Sequence, residues 1–143
     1  NNCSVFLLGA EPGVAEIVAQ QLTQSDPISI AGVHHGYFTD EESQEIIELI
    51  RATTPDILLV ALGAPRQDIW IANNIGELKV PVCIGVGGTF DVLAGKVKRA
   101  PKICRRLGLE WLFRLLSEPT RIKRQMALPR FAWLILMKGR KKK

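Results

Sequence analysis

Long apolar runs and cysteines are both scarce in this sequence. The longest late apolar run covers residues 131–137, seven residues against the roughly 20 that a membrane-spanning helix needs. The three cysteines have no metal-ligand spacing, and an odd number without a signal peptide is typical of a reducing compartment. We therefore expect a chain that can lie on a membrane but does not cross one. We interpret Cys3, Cys83 and Cys104 as buried structural thiols, with a catalytic cysteine as the less favoured alternative.

Basic residues are scarce in the first 95 residues, where Arg51, Arg66 and Lys79 are outnumbered by twelve acidic residues and the net charge is −9. Residues 96–143 reverse this balance, with sixteen basic residues, two acidic ones and a net charge of +14. Such an asymmetry predicts an anionic partner for the last third of the chain. Nucleic acid and anionic lipid both have the required charge.

Four short apolar runs predict buried β-strands over residues 4–8, 28–31, 56–62 and 82–86. β-branched residues and leucine dominate these runs without polar alternation, which is typical of parallel strands covered on both faces. Helices are predicted between them, over residues 13–23, 40–52 and 65–75. Thr39-x-x-Glu42 has the pattern of a capping box at the second helix, and Pro65 suits the first turn of the third. The alternation predicts an α/β fold with a parallel sheet and right-handed crossovers.

After Gly88 the character of the sequence changes. Further helices are predicted over residues 89–94, 101–107, 109–117 and 119–128, followed by an apolar-aromatic stretch at 131–137 and a basic terminus at 138–143. We interpret residues 1–108 as an α/β domain and residues 109–143 as a basic helical appendage. Four strands are few for a doubly wound sheet and the chain begins at Asn1 rather than Met, so we expect it to be the later part of a longer domain.

A distinctive loop follows each predicted strand, and the carboxyl ends of parallel strands lie at one edge of their sheet. Three of these loops place glycine beside a helix start, where backbone N–H groups and the helix dipole favour a phosphate. Neither the P-loop pattern nor a complete G-x-G-x-x-G is present, so each loop alone can be purely structural. Together they predict a ligand crevice with these substrate-binding glycines: Gly9, Gly13, Gly36, Gly63, Gly87 and Gly88.

Side chains in these loops each have two interpretations. Asp91 can accept a hydrogen bond from a ribose hydroxyl or a base N–H, or it can cap a helix. Gln67 can donate to a sugar or phosphate, or it can be a solvated first-turn residue, which its spacing alone favours. Tyr37 can stack on a base or simply pack. His34 and His35 suggest a metal, but no carboxylate or cysteine lies at ligand spacing, so we expect no metal site.

Three arginines stand out in the basic appendage: Arg114, Arg121 and Arg124. Arg121 and Arg124 are three residues apart and share a helix face, and arginine can bind phosphate in a bidentate manner. An ordinary solvated basic face is the alternative. The aromatic and aliphatic residues at 131–137 add apolar anchors beside the cations, which favours an interfacial membrane segment. Nucleic-acid binding fits the charge, but no recognition module is visible, so we expect no nucleic-acid partner.

Five segments of the sequence resemble the bacterial WecG/TagA/CpsF glycosyltransferases and occur in the order typical of that family. They are VFLLGAEPGVAE, GVHHGYF, DILLVALGAPRQDIWI, VCIGVGGTFDVLAGKVKRAPK and LGLEWLFRLLSEPTRIKR, and they span nearly the whole chain as far as Arg124. The resemblance implies a Rossmann-like core with a C-terminal helical appendage. It also implies inverting transfer of a sugar from a UDP-sugar to a lipid-linked acceptor.

The resemblance further implies a substrate, a pathway and a site. The best-known members transfer N-acetylmannosamine or its uronic acid to N-acetylglucosamine-diphospho-undecaprenol, in the synthesis of wall teichoic acid or enterobacterial common antigen. Gln67 and the arginines Arg114, Arg121 and Arg124 then correspond to catalytic residues, the arginines contacting the lipid diphosphate or leaving group. Tyr37 and Asp91 correspond to residues near the nucleotide. No cofactor or metal is expected, and the chain has no Asp-x-Asp motif, with which many glycosyltransferases hold a metal-bound nucleotide diphosphate.

One departure from the family pattern concerns the general base. The family's proposed base is an aspartate that precedes the first segment seen here, so we expect this chain alone to be inactive or nearly so, because a base typically contributes 10²–10⁴-fold. A non-catalytic nucleotide-binding module is the alternative to an enzyme. We expect a peripheral location on the inner face of the cell membrane, on an anionic surface, and a homo-oligomer is compatible with exposed apolar surface.

Overall fold

The computed structural model describes residues 3–25 and 28–96. Strands and helices alternate along them: β1 (Ser4–Gly9), α1 (Val14–Ser25), β2 (Ser29–His34), α2 (Ser43–Thr53), β3 (Ile57–Ala61), α3 (Arg66–Leu78), β4 (Val82–Gly85) and α4 (Thr89–Leu93). The strands form one parallel sheet in the order β2-β1-β3-β4. This confirms the predicted α/β, Rossmann-like architecture. The predicted helices at 101–107, 109–117 and 119–128 and the domain boundary at residue 108 lie outside the described residues.

Each predicted strand and helix in this region exists, with small changes at its ends. β2 continues three residues further than predicted, so His34 belongs to the strand rather than to the loop. The predicted capping box is present, since Thr39 N donates to Glu42 Oε2 (2.7 Å) and Glu42 N donates to Thr39 Oγ1 (3.3 Å). These bonds close a separate turn, and α2 begins after it at Ser43.

β1 is the central element of the core because its side chains are buried on both faces of the sheet. Val5 and Leu7 point toward α1 and α4, while Phe6 and Leu8 point toward α2 and α3. Fully burying an apolar side chain of this size stabilises the fold by about 1.5–3 kcal/mol. The crossovers run in opposite directions from β1, so right-handed connections place α1 on one face and α2 and α3 on the other.

β4 differs from the expectation that every strand is covered on both faces. Cys83 packs toward the α3 side, but Val82 and Ile84 on the other face are each 44% exposed. β4 lies at the end of the described sheet, and α4, the helix that follows it, has only five residues. The continuous apolar pattern of β4 therefore did not distinguish a covered strand from an uncovered one.

The amino end of the sheet is fastened by Asp56 and Ser4. The carboxylate of Asp56 accepts from the backbone N–H and the hydroxyl of Ser4, both at 2.8 Å, and the Asp56 N–H donates to the Ser4 carbonyl at 3.0 Å. The backbone bond and then the hydroxyl bond from Ser4 lower the pKa of Asp56 below its ordinary value. This contact joins β1 to the start of β3 at the edge opposite the glycine loops.

No helix of the described region combines the length and apolar character that crossing a membrane requires.

Candidate functional site

The strand order reverses direction between the carboxyl ends of β1 and β3, which makes this point the expected position of a ligand crevice. The chain leaves β1 for β2 on one side and then crosses back to β3 on the other side. The loops after β1 and β3 lead to helices on opposite faces of the sheet, so they diverge at this point. Ligands of open α/β sheets bind at such a switch point. The four glycine loops predicted from the sequence all lie at this edge, because each follows a parallel strand.

The loop after β1 contains two glycines with different tasks. A Cβ atom at Gly9 would lie 2.5 Å from the carbonyl carbon and oxygen of Ala61, and its φ of 134° is one that other residues rarely adopt. The next residue, Ala10, donates its N–H to the Ala61 carbonyl at 3.0 Å. Gly9 therefore permits close packing of the β1 and β3 ends. Gly13, directly before α1, has a φ of 86°, which other residues rarely adopt, and the space beside it is open to 4 Å.

The loop after β2 is held on both sides of an exposed aromatic ring. Gly36 is buried, and its N–H donates to the Ala10 carbonyl at 2.8 Å. Phe38 is buried between the rings of His34 and Trp70, with centroid separations of 6.1 and 6.2 Å. Tyr37 lies between these two residues and is 67% exposed. The alternative that Tyr37 merely packs is therefore wrong, and the ring is available for stacking.

His34 and His35 line a cavity of about 350 Å³ together with Phe38, Glu42 and Glu45. Nδ1 of His34 lies 2.8 Å from the His35 carbonyl oxygen, and the two rings are 4.5 Å apart. Nδ1 of His35 is buried without a hydrogen-bond partner. Within residues 3–25 and 28–96, no three or more His, Cys, Asp or Glu side chains are grouped to hold a metal ion. The histidine pair thus shapes the wall of the cavity.

The first turn of α3 reaches the neighbouring loops in two directions. Arg66 extends toward the loop after β2, where Nη2 donates to the Phe38 carbonyl at 3.0 Å and Nη1 to the Gly36 carbonyl at 3.4 Å. Its guanidinium carbon lies 5.2 Å from the centroid of the Phe38 ring. Two hydrogen bonds and a cation–π contact therefore fasten this loop to α3.

Gln67 extends in the other direction, toward the loop after β4. Its side-chain oxygen accepts from the Gly87 N–H at 2.9 Å. At 6% exposure it is the one buried polar side chain among the described residues, so the alternative of a solvated first-turn residue is wrong. A Cβ atom at Gly85 would lie 2.5 Å from Gln67 Nε2, which shows how closely the amide packs against the end of β4. The amide oxygen is committed to Gly87, whereas the NH₂ group can donate to a ligand.

The loop after β4 continues the sheet edge and starts α4. Val86 donates its N–H to the Val60 carbonyl at 2.8 Å, and Gly87 has a φ of 56°. Gly88 occupies the N-cap position of α4, and Asp91 lies in the first turn of that helix, partly buried. Gly88 and Asp91 therefore lie at the carboxyl edge of the sheet, and Asp91 is on α4 as the predicted helix at 89–94 implied.

Cations are few at the carboxyl edge of the described sheet. Lys96 follows α4 and forms an ion pair with Glu11 at 2.8 Å. Arg51 and Lys79 lie at the opposite edge, where they line the larger described cavity, of about 620 Å³. That cavity is formed by the ends of α2 and α3 and the starts of β3 and β4, far along the sheet from the glycine loops.

The structure brings the predicted site residues that lie among the described residues to one edge of the sheet. These residues are Gly9, Gly13, Gly36, Tyr37, Gly63, Gln67, Gly87, Gly88 and Asp91. The arginines Arg114, Arg121 and Arg124 lie outside the described residues. Sequence reasoning missed the bracing role of Arg66, although its position as one of three basic residues before residue 96 was a usable signal.

Gly36 and Gly76 provide a matched pair for testing the loop packing. An alanine Cβ at Gly36 would lie 2.9 Å from Leu62 Cδ2 and 3.1 Å from the Ala10 nitrogen, whereas Gly76, in α3, has nothing within 4 Å. We expect Gly36→Ala to lower the free energy of unfolding by about 1–3 kcal/mol. We expect Gly76→Ala to raise it by about 0.5–1 kcal/mol, because alanine favours a helix. Urea denaturation measures both, and equal effects would contradict the packing argument.

The sequence was also compared with models of known protein families. The model described as "Glycosyl transferase WecG/TagA/CpsF family" matches residues 1–143, the whole length of the chain. The match agrees with the parallel sheet and with the five sequence segments discussed above. The chain therefore belongs to the WecG/TagA/CpsF family of glycosyltransferases.

Proposed function

We propose that the chain takes part in inverting glycosyl transfer from a UDP-sugar to an undecaprenyl-diphosphate-linked N-acetylglucosamine acceptor, without a metal. N-acetylmannosamine is the sugar we propose. The observation that supports this most directly is the convergence of four glycine loops at one sheet edge, with exposed Tyr37 on one side and Asp91 on the other. The product would belong to cell-envelope polysaccharide or teichoic acid synthesis.

The crevice has a suitable arrangement for a nucleotide. Tyr37 offers an aromatic face for stacking on a base. Asp91 offers a carboxylate for ribose or base donors. The open space at Gly13 lies at the start of the 12-residue helix α1, whose N-terminus favours negative charge. We infer that the nucleoside binds near Tyr37 and Asp91 and that the diphosphate approaches the backbone between β1 and β3.

The charge of the diphosphate supports a role for the appendage. Residues 1–95 have a net charge of −9, and Arg66 donates to two backbone carbonyls. A leaving diphosphate needs nearby cations as the glycosidic bond breaks. We propose that Arg114, Arg121 and Arg124 supply these cations. We propose that the same arginines also contact the lipid diphosphate of the acceptor. The remaining basic residues of 96–143 would hold the protein on the anionic inner leaflet of the cell membrane.

The first experiment tests nucleotide binding. We expect calorimetry to detect UDP binding with the same affinity in the presence and absence of EDTA. Asp91→Ala should weaken this binding by about 1–3 kcal/mol, because a buried hydrogen bond to the nucleotide is lost. Glu48→Ala is the matched control, since it removes an acidic side chain beside the opposite-edge cavity. Loss of binding on chelation would contradict the proposed metal independence.

A second experiment separates the two groups of the Gln67 amide. Gln67→Glu keeps an oxygen that can accept from Gly87 N–H but removes the NH₂ donor, whereas Gln67→Leu removes both. If the NH₂ group contacts the sugar or diphosphate, Gln67→Glu should lower the melting temperature, because it buries a carboxylate, and should also lose turnover at least tenfold at temperatures where it is still folded, roughly one lost hydrogen bond. Turnover is measured in a longer protein that also carries the general base expected from the family resemblance. Gln67→Leu should lose both stability and turnover. Full activity in Gln67→Glu would restrict Gln67 to a structural role.

A third experiment separates membrane binding from catalysis in the appendage, and it measures turnover in a longer protein that also carries the general base expected from the family resemblance. Neutralising Lys141, Lys142 and Lys143 should weaken binding to anionic vesicles, by about 1 kcal/mol per residue at low salt, and leave turnover on a soluble short-chain acceptor intact. Replacing Arg121 or Arg124 should lower turnover on that soluble acceptor as well, because the lost contact is to the diphosphate of the acceptor rather than to the membrane. Arginine variants that lose only vesicle binding would show that the appendage is merely an anchor.

A further inference from the structure

Arg66 has an unusual position for an arginine at the edge of a proposed nucleotide site. Its two terminal nitrogens donate to the backbone carbonyls of Gly36 and Phe38, and its guanidinium lies over the Phe38 ring. These three contacts all go to the loop that carries Tyr37. The guanidinium is therefore engaged with the protein itself rather than directed at a ligand.

The contacts of Arg66 fall on the two residues that flank Tyr37. On one side, Gly36 is also held by its own N–H bond to the Ala10 carbonyl. On the other side, Phe38 is buried against Trp70, which in turn donates from Nε1 to Ser43 Oγ at 2.8 Å. Tyr37 itself is 67% exposed and packs little against the fold. The position of its ring therefore depends on how firmly its two neighbours are held.

We propose that Arg66 is a positioning residue that fixes the loop of residues 35–38, so that the Tyr37 ring stands ready to stack on the base of the nucleotide. An aromatic ring that is already in place loses less conformational freedom on binding than a mobile one. Arginine suits the task because its planar fork reaches two carbonyls at once while its face stacks on a ring, which the single ammonium group of lysine cannot do. The expected effect on nucleotide binding rests on the proposed function, whereas the contacts of Arg66 with the loop do not depend on it.

The geometry can be tested without any ligand, because Tyr37 is the only tyrosine in the sequence. Tyrosine labelled at its amide nitrogen and in its ring gives one set of NMR signals from the whole chain. In the wild type we expect relaxation of the Tyr37 amide typical of an ordered loop. Arg66→Gln and Arg66→Lys should both increase the mobility of this amide, because the backbone on either side of it is no longer held. Arg51→Gln removes an exposed arginine at the opposite edge and should leave the signals unchanged.

Titration with UDP then tests the consequence for binding. Wild type and Arg51→Gln should bind UDP equally and show a shift of the Tyr37 signals. Arg66→Gln and Arg66→Lys should bind UDP on the order of tenfold more weakly, because the loop is less ordered before binding.

The two failures are distinguishable. If UDP leaves the wild-type Tyr37 signals unmoved, base stacking at this loop is wrong, while the ligand-free spectra still decide the role of Arg66. If Arg66→Lys matches the wild type in the order of the Tyr37 amide and in affinity, positive charge rather than the two-carbonyl contact matters and the positioning role is overturned. Arg66→Lys retains the charge, so it serves as the test if Arg66→Gln does not fold.

Discussion

The close approach of Gly9 to the carbonyl of Ala61 is the contact on which the candidate site depends. It brings the ends of β1 and β3 together at the point where the strand order reverses, and any side chain at position 9 would meet backbone atoms at 2.5 Å. Ala10 then bonds in two directions, to Ala61 through its N–H and to Gly36 through its carbonyl. The loops after β1 and β2 are thereby joined to each other and to the end of β3 by main-chain contacts.

The first turn of α3 completes this arrangement from the other side of the crevice. Arg66 and Gln67 are adjacent in sequence, yet one bonds to the loop after β2 and the other to the loop after β4. Successive residues on a helix point about 100° apart, so two neighbours can reach separate loops. The loop that carries Tyr37 and the loop that carries Gly87 are therefore both attached to the first turn of α3. A shift of α3 would move both sides together.

The sequence predicted the parallel sheet because β-branched and leucine-rich runs alternate with helical segments, and topology alone then brought the loops to one edge. It failed where the outcome depends on tertiary neighbours. Gln67 resembled a solvated first-turn residue, since no sequence pattern shows that Gly87 would offer it an N–H. Val82 and Ile84 resembled covered core residues, since their apolar character does not show whether a helix lies over them. The sequence showed Arg66 only as one of few positive charges, whereas its contacts show that it fastens the loop after β2 to α3.

The distribution of charge connects these local contacts to the proposed reaction. The acidic residues of α2 and its preceding turn stand beside the histidine cavity, and Glu11 lies in the first glycine loop, where it pairs with Lys96. A core of this kind repels an anionic diphosphate until cations offset its field. Backbone N–H groups at helix starts provide direction but only partial charge. Under the proposed function, the α/β core would fix the geometry of the nucleotide and the basic residues of 96–143 would supply most of the positive charge. The two parts would then fail differently: loosening the core would misplace the donor, whereas removing the cations would leave the donor in place with its leaving group unstabilised.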